Sequence, residues 1–538
     1  MSHSVSAASA IAMGLAQAGC THAFGMPGGE VLVLLDALEN AGVAFTLCKH
    51  ENAAGFMAEG SWQATGAPGV LLTTIGPGLA NGLNSIANAY QEQVPLIVLS
   101  GCIAPTKAAE FTHQVIDQPA LLAPITKARY QVAKGTAALV VAKALAVAQA
   151  DPPGPVHIDL PDTLALDDTL LLETPAPINE RAVLGQGPTL SLALKRLKTA
   201  ERPIILAGIG AVLHGAGSEI LALSETHDIP VLTTYKAKGI IPETHPNCLG
   251  GHGLSPLSDK TILPLLAASD CVLLLGYDPI EMRSDWVRPW AAENALEFCH
   301  AQTEHGMHGS ALRFVGDVAA ATRALIDGLD RPLANVWPEQ EPQTARATLQ
   351  KAFAPRADWG PHAVFATLDK ELPDKAVITV DSGAHRILFS QMCHANRPSQ
   401  ILQSAAFCTM GIAVPLAMGY RRAAPDTPVV AVVGDAGMDM VAGELATLRD
   451  MALPLTIIVL VDDALTLIGA KQSAMQLRET GVRFGSTDFV ALAQAYGGYG
   501  EWVSESLQLK QALRRAENRT TFTILACKIE KNDYYGAF

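Results

Sequence analysis

Residues 428–463, "PVVAVVGDAGMDMVAGELATLRDMALPLTIIVLVDD", constrain the fold more than any other stretch of this chain. Two near-continuous apolar runs rich in valine and isoleucine each end at an acidic residue, and the segment from about Met438 to Met451 between them has helical character. Strands this uniformly apolar are buried on both faces, as in a parallel sheet. A strand–helix–strand unit of this length crosses over right-handedly, so both strands run parallel and Asp435 and Asp462 emerge at one carboxyl edge.

The same alternation recurs along the chain. Strand-like runs "HAFGM", "VAFTLC", "GVLLTT", "PLIVLSG" and "PVHIDLP" alternate with helix-length segments up to about residue 170. A second block opens at "RPIILAGIGAVLHGAG" and a third near residue 355, with polar, proline-bearing connectors "LLETPAPINERAVLGQGP" and "RPLANVWPEQEPQTARA" between them. The 538 residues are too many for one core. The expectation is an α/β protein of three consecutive domains, 1–170, 189–333 and 355–538, each with a central, mainly parallel sheet flanked by helices.

Charge and cysteine usage exclude several classes. A net charge of −14 with no Lys/Arg run disfavours a nucleic acid or an anionic membrane surface as partner. The nine cysteines sit singly, without a C-x-x-C pair or zinc-ligand spacing to histidine, which fits buried thiols in a reducing, cytoplasmic compartment. The N-terminal "MSHSVSAASAIAMGLAQAGC" lacks a basic region and reads as an amphipathic helix, not a signal peptide. The longest apolar stretches fall well short of a membrane span.

Asp435 and Asp462 are hard oxygen ligands that leave room for phosphate oxygens, as Mg²⁺ prefers, and Gly437 lets backbone N–H groups face an anion. The pair reads as a metal-bridged diphosphate clamp; the plainer alternative is that each aspartate only terminates its strand. A second candidate is Glu51 in "KHENAAGFMAEG", a carboxylate at a strand-to-helix turn. By itself it reads first as a plain first-turn glutamate favoured by the helix dipole.

"GDAGMDM…VDD" resembles the metal–diphosphate motif of thiamine diphosphate (ThDP) enzymes, with Ala436 where that motif has glycine and Val461 where it has asparagine. "FGMPGGEV", "KHENAAGFMAEG", "TTIGPGLAN", "PITKA", "PGPVHIDLP", "CTMGIAVPLAMG" and "GYDPIE" extend the likeness over nearly the whole chain, and the resemblance is to the acetolactate synthase and 2-oxo acid decarboxylase group. It implies pyrimidine-binding, middle and diphosphate-binding domains. It further implies Mg²⁺ held by Asp435, Asp462 and the Ala464 carbonyl, and diphosphate contacts from Gly383, His385, Gly434, Ala436 and Gly437. Met410 would be the apolar wedge that bends ThDP, and the Cys408 carbonyl would accept from the pyrimidine amine. Pro27, Gly28 and Thr73 would lie on the pyrimidine side, where Glu51 would hydrogen-bond the ring and promote its reactive tautomer. Leu467, Lys471 and Gln472 fall in the segment that shapes the substrate pocket in relatives. Glu51 and the clamp come from different subunits there, which implies a homodimer or homotetramer with active sites between subunits.

The resemblance leaves the reaction open. After a 2-oxo acid loses CO₂, ligation to a second acid makes an acetolactate synthase-like transferase, and protonation makes a decarboxylase. His113-Gln114-Val115 stands where synthases show Phe-Gln-Glu; His113 is either a proton donor or a partly buried, hydrogen-bonded histidine. Pro152 and Asp162 occupy positions that are basic in synthases, one of them an FAD contact, so FAD is not expected. A non-catalytic ThDP-binding relative is the alternative of another class.

Overall fold

The computed structural model describes residues 4–108, 110–171, 181–185, 187–303 and 305–537. The connector expected at 171–188 lies largely outside them. Three six-stranded sheets follow one another along the chain, and every pair of neighbouring strands in them is parallel. In space the first runs Ala44–Leu47, His22–Met26, Gly69–Thr73, Leu96–Cys102, Val156–Pro161, Ala128–Gln131. The third runs Ile401–Gln403, Val377–Val380, Val429–Gly434, Thr456–Val461, Thr523–Lys528, Tyr499–Val503. Numbered within its own block, each has the order 2-1-3-4-6-5. The middle sheet, from Cys248–His252 through Val231–Thr234, Pro203–Ala207, Cys271–Leu275 and Ala295–Cys299 to Leu312–Val315, has the order 3-2-1-4-5-6. The outer two blocks thus share a plan that the middle one does not.

The interior strands coincide with the apolar runs of the sequence, except Ala295–Cys299, a fully buried strand that the buried Glu297 hides from the pattern. Several strands that the sequence pattern does not announce are short or half-exposed. Ala128–Gln131 and Leu312–Val315 alternate partly buried with exposed residues at sheet edges, and Ile401–Gln403 is three residues long. Edge strands need no continuous apolar run, because only one side is covered.

The single helix expected from Met438 to Met451 is two, Asp435–Met440 and Glu444–Asp450. The interruption has a tertiary cause: restarting at Glu444 turns its buried carboxylate onto the backbone N–H of Lys49 in the first block, at 2.9 Å.

The helix Glu51–Thr65 shows why its sequence is so rich in small residues. It packs along Ala413–Ala423 of the third block so closely that a Cβ on Gly419 would stand 1.9 Å from the Met57 carbonyl oxygen, and one on Gly60 would stand 2.2 Å from that of Leu416. Apolar side chains of the third block form one continuous core with the first and another with the middle block. No helix among the described residues is long and apolar enough to cross a membrane.

Candidate functional site

Strand order brings the amino-terminal candidates together. Pro27-Gly28 follows His22–Met26, Glu51 follows Ala44–Leu47, and Thr73 ends Gly69–Thr73; these are three adjacent strands with a common carboxyl edge. Glu51 is the first residue of its helix, 3% exposed, and its Oε2 accepts from Asn81 Nδ2 at 3.0 Å. Gly78 separates it from Thr74: a Cβ there would lie 2.6 Å from the Thr74 methyl and 3.1 Å from Glu51 Oε1. Glu30, which sequence reasoning passed over, draws the edge tight by accepting from the Thr74 hydroxyl and from the Ile75 N–H (2.6 Å). Thr73 is fully buried, and its hydroxyl has no partner.

The third sheet repeats this arrangement. Gly383 and His385 follow Val377–Val380, Cys408 and Met410 follow Ile401–Gln403, and Asp435 and Asp462 end the next two strands. Asp435 Oδ2 accepts from the N–H groups of Asp462 (3.0 Å) and Asp463 (2.7 Å), and Oδ1 from that of Ala436 (2.8 Å). Thr466 Oγ1 donates to Asp462 Oδ2 at 2.5 Å. Burial, reinforced by the facing Asp435 carboxylate, pushes the Asp462 carboxyl up to about 7 against the opposing Thr466 hydrogen bond. Burial likewise raises Asp435. Two carboxylates made costly to ionise side by side are a site that a divalent cation relieves.

A cavity of about 240 Å³ opens over these groups. Gly383, His385, Cys408, Met410, Gly434 and Ala436 line it, together with Gly437, Asp435, Asp462, Ala464 and Leu467. Two buried polar atoms of its lining, Ser382 Oγ and His385 Nε2, have no partner, and burial foremost holds the His385 imidazole down at about 3. Orphaned polar atoms facing a cavity beside a carboxylate pair fit a phosphorylated ligand bridged by a metal ion. At Gly437 a Cβ would stand 2.1 Å from Asp381 Oδ2, so only glycine lets the backbone come this close.

Asp381 was not singled out from sequence, where it is one more aspartate after a strand. It is fully buried and accepts from the N–H groups of Ser382 (2.9 Å), Gly411 (3.0 Å) and Ile412 (3.2 Å), which fixes the loop that carries Met410. Cys408, at φ 57°, is in the left-handed region and is the exposed one among nine unpaired cysteines. Tyr534, from the distant carboxyl terminus, closes one wall.

Other expectations resolve differently. Leu467 lines the cavity, whereas Lys471 is exposed and Gln472 is bonded to the backbone of Thr480; neither lines it. Four residues of helix carry position 471 about 6 Å along the axis from Leu467. His113 is not a partly buried, hydrogen-bonded histidine: it is exposed, with its ring edge-on to Phe111 at 6.2 Å. Gln114 is exposed at φ 60°, and the buried glutamine of this loop is Gln118, whose Oε1 accepts from the Gly76 N–H at 2.8 Å. Among the described residues, only those of the third block line the cavity, so Glu51 does not reach it within one chain.

Three family models match in order: the thiamine pyrophosphate enzyme N-terminal TPP binding domain over residues 5–121, the central domain over 190–325 and the C-terminal TPP binding domain over 381–527. The chain belongs to the thiamine pyrophosphate (ThDP) enzyme family. A probable acetolactate synthase large subunit of Methanocaldococcus jannaschii is 30% identical over 541 residues, covering 95% of this chain and 89% of the relative. An acetolactate synthase of Bacillus subtilis is 27% identical, with 96% and 92% covered. A probable 2-ketoarginine decarboxylase of Pseudomonas aeruginosa is 29% identical, with 95% and 92% covered. This ThDP enzyme therefore sits in the acetolactate synthase and 2-oxo acid decarboxylase group. The N-terminal match covers Ala44–Leu47, His22–Met26, Gly69–Thr73 and Leu96–Cys102 of the first sheet, and the C-terminal match covers Ile401–Gln403, Val429–Gly434, Thr456–Val461 and Tyr499–Val503 of the third.

Proposed function

We propose that this ThDP enzyme uses Mg²⁺ to decarboxylate a small, pyruvate-like 2-oxo acid and ligates the product to a second 2-oxo acid, as an acetolactate synthase-like transferase. The observation that carries the reading is the carboxylate pair Asp435–Asp462 at a cavity that also holds the orphaned Ser382 Oγ and His385 Nε2. Asp435, Asp462 and the Ala464 carbonyl would hold the metal. Gly383, His385, Gly434, Ala436 and Gly437 would take the diphosphate, and Cys408 and Met410 would meet the rings. ThDP, when bound, supplies the carbanion chemistry that loss of CO₂ from a 2-oxo acid requires.

Glu51 would exchange a proton with the pyrimidine ring, and its burial at a dry helix start suits that task. Because the described residues that line the cavity come from one block, Glu51 would be delivered by a second copy, in a homodimer or homotetramer. Pro27, Gly28 and Thr73 would flank the ring beside it, and His113 and Gln114, exposed in one chain, would face the partner's cavity. The unpaired cysteines accord with a cytoplasmic location. FAD is left out of the reading because Pro152 and Asp162 stand where synthases have basic residues.

A second reading, a decarboxylase that releases an aldehyde, is favoured by the Pseudomonas aeruginosa relative, as similar in sequence as the synthases. Incubation with ThDP, Mg²⁺ and a panel of 2-oxo acids separates the two. Acetohydroxy acid supports the transferase and aldehyde the lyase. Absence of CO₂ from every acid would overturn both and leave a ThDP-binding relative without turnover.

A further inference from the structure

We propose that Glu297, His305 and His308 of the middle block form a zinc site separate from the diphosphate cavity. Glu297 lies in the strand Ala295–Cys299, and the two histidines lie in the crossover that leads to the neighbouring parallel strand Leu312–Val315. One ligand atom from each residue lies within 4.8 Å of the others, and Glu297 Oε2 is 3.9 Å from His308 Nε2.

The hydrogen bonding is what singles this cluster out. The His308 side chain is 1% exposed, yet neither of its ring nitrogens has a partner, and the buried Nε2 of His305 has none either. A polar atom taken out of water without a replacement bond costs about 1–3 kcal/mol, so three beside one carboxylate call for a ligand. Burial lowers the His308 imidazole below its ordinary value, which favours the neutral form that can give a lone pair.

The surroundings suit a metal ligand set. Glu297 Oε2 accepts from Ser310 Oγ and Arg313 Nε, both at 2.8 Å, which fixes the carboxylate from outside the cluster. Tyr277 and Trp290 pack on the His308 ring at 5.3 and 5.1 Å. Two imidazoles and one carboxylate are a zinc donor set and a poor one for Mg²⁺. Bonds of about 2.0–2.2 Å require the three groups to draw in by roughly an ångström.

The fold gives such an ion a purpose. Crossovers between parallel strands are usually helical, whereas residues 300–311 contain no helix among those described. Their ties include the Trp290 Nε1 bond to the Gly309 carbonyl (3.2 Å) and the Arg288 N–H bond to that of Met307 (2.7 Å). Zinc would pin the crossover to the strand it leaves. In sequence His305 and His308 are only an H-x-x-H; the carboxylate comes from eight residues upstream, and the strand supplies it.

The test is a zinc titration of the full-length protein with ThDP and Mg²⁺ in excess, read by competition with a chromogenic chelator, and repeated for His305→Ala, His308→Ala and Glu297→Gln. The expected result is one zinc equivalent per chain in the unsubstituted protein. Affinity should fall on the order of 100-fold in each variant, and only the unsubstituted protein should gain thermal stability with zinc. His305 is only partly buried, so His305→Ala is the variant whose fold is safest; its circular dichroism verifies this. No bound equivalent at micromolar zinc, or equal affinity in the unsubstituted protein and His305→Ala, overturns the proposal.

Discussion

Lys236 Nζ lies 2.6 Å from Glu92 Oε2, and through this ion pair all three sheets meet at one point. Lys236 belongs to the middle block and Glu92 to the first. Glu92 Oε1 accepts from Ser404 Oγ (2.8 Å) and from the N–H groups of Ala406 (2.9 Å) and Phe407 (3.0 Å), just before Cys408 and Met410 in the third. Burial opposes the Glu92 charge, but Lys236 and these donors overcome it and hold the carboxyl below its usual range. Lys236→Met would strand a buried carboxylate and cost about 3–5 kcal/mol. Thermal and urea unfolding of the variant at pH 8 provide the measurement. ThDP affinity should fall too, because the Cys408–Met410 loop loses its anchor; a variant as stable as the parent would remove the pair from the framework.

Glu281, beside the same lysine, makes the fold sensitive to alkali. Burial raises its carboxyl to about 8 from an ordinary 4.5. Between those values the folded chain retains a proton that the unfolded chain releases, so this group's contribution is whole below about pH 4.5 and is lost as pH rises through 8. Glu281→Gln should therefore gain stability relative to the parent at pH 9 and gain little at pH 5. Melting temperatures of both proteins across that range decide it; parallel curves would refute the assignment.

Magnesium affinity should follow the Asp462 carboxyl, which titrates at about 7. Because the metal takes the ionised form, affinity should fall about tenfold per pH unit below 7 and level off above it. Magnesium titrations of the ThDP complex at pH 6, 7 and 8 measure the slope, and a flat profile would count against Asp462 as a ligand.

Glu51→Gln and Asp435→Asn should fail in different ways. The first keeps the diphosphate cavity intact, so ThDP should still bind while turnover drops by about 10²–10⁴. The second removes a metal ligand, and binding itself should weaken. Calorimetry with ThDP and Mg²⁺, alongside CO₂ release, distinguishes them; loss of ThDP binding in Glu51→Gln would mean that Glu51 serves mainly to hold the cofactor.

Gly437→Ala tests the close approach at Asp381. Its Cβ would start 2.1 Å from Asp381 Oδ2 and 3.0 Å from Val433 Cγ2. Overpacking of this kind costs about 1–3 kcal/mol. The displaced Asp381 would loosen Gly411 and Ile412, so ThDP binding should weaken together with thermal stability. An alanine variant with unaltered affinity would show that the loop tolerates the shift.

Sequence alone determined the parallel sheets and the convergence of Asp435 with Asp462. Burial on both faces writes itself as unbroken valine and isoleucine, and right-handed crossover then leaves the strand ends only one common edge. The resemblance of its motifs to those of ThDP enzymes added Glu51 and the glycine-bearing turns to the expected set. The sequence did not disclose Asp381, Glu92, Glu30 or the Glu297–His305–His308 cluster. Asp381, Glu30 and Glu92 act on atoms far along the chain, as Glu92 does on Ala406, while Glu297 meets its histidines only through the strand that carries it, and nothing local distinguishes such a carboxylate from an ordinary polar residue. Nor could it place Lys471 or His113 relative to the cavity, or break the helix at Val441–Gly443. Those outcomes depend on which surfaces the three sheets bury against one another, and only the assembled tertiary structure decides that.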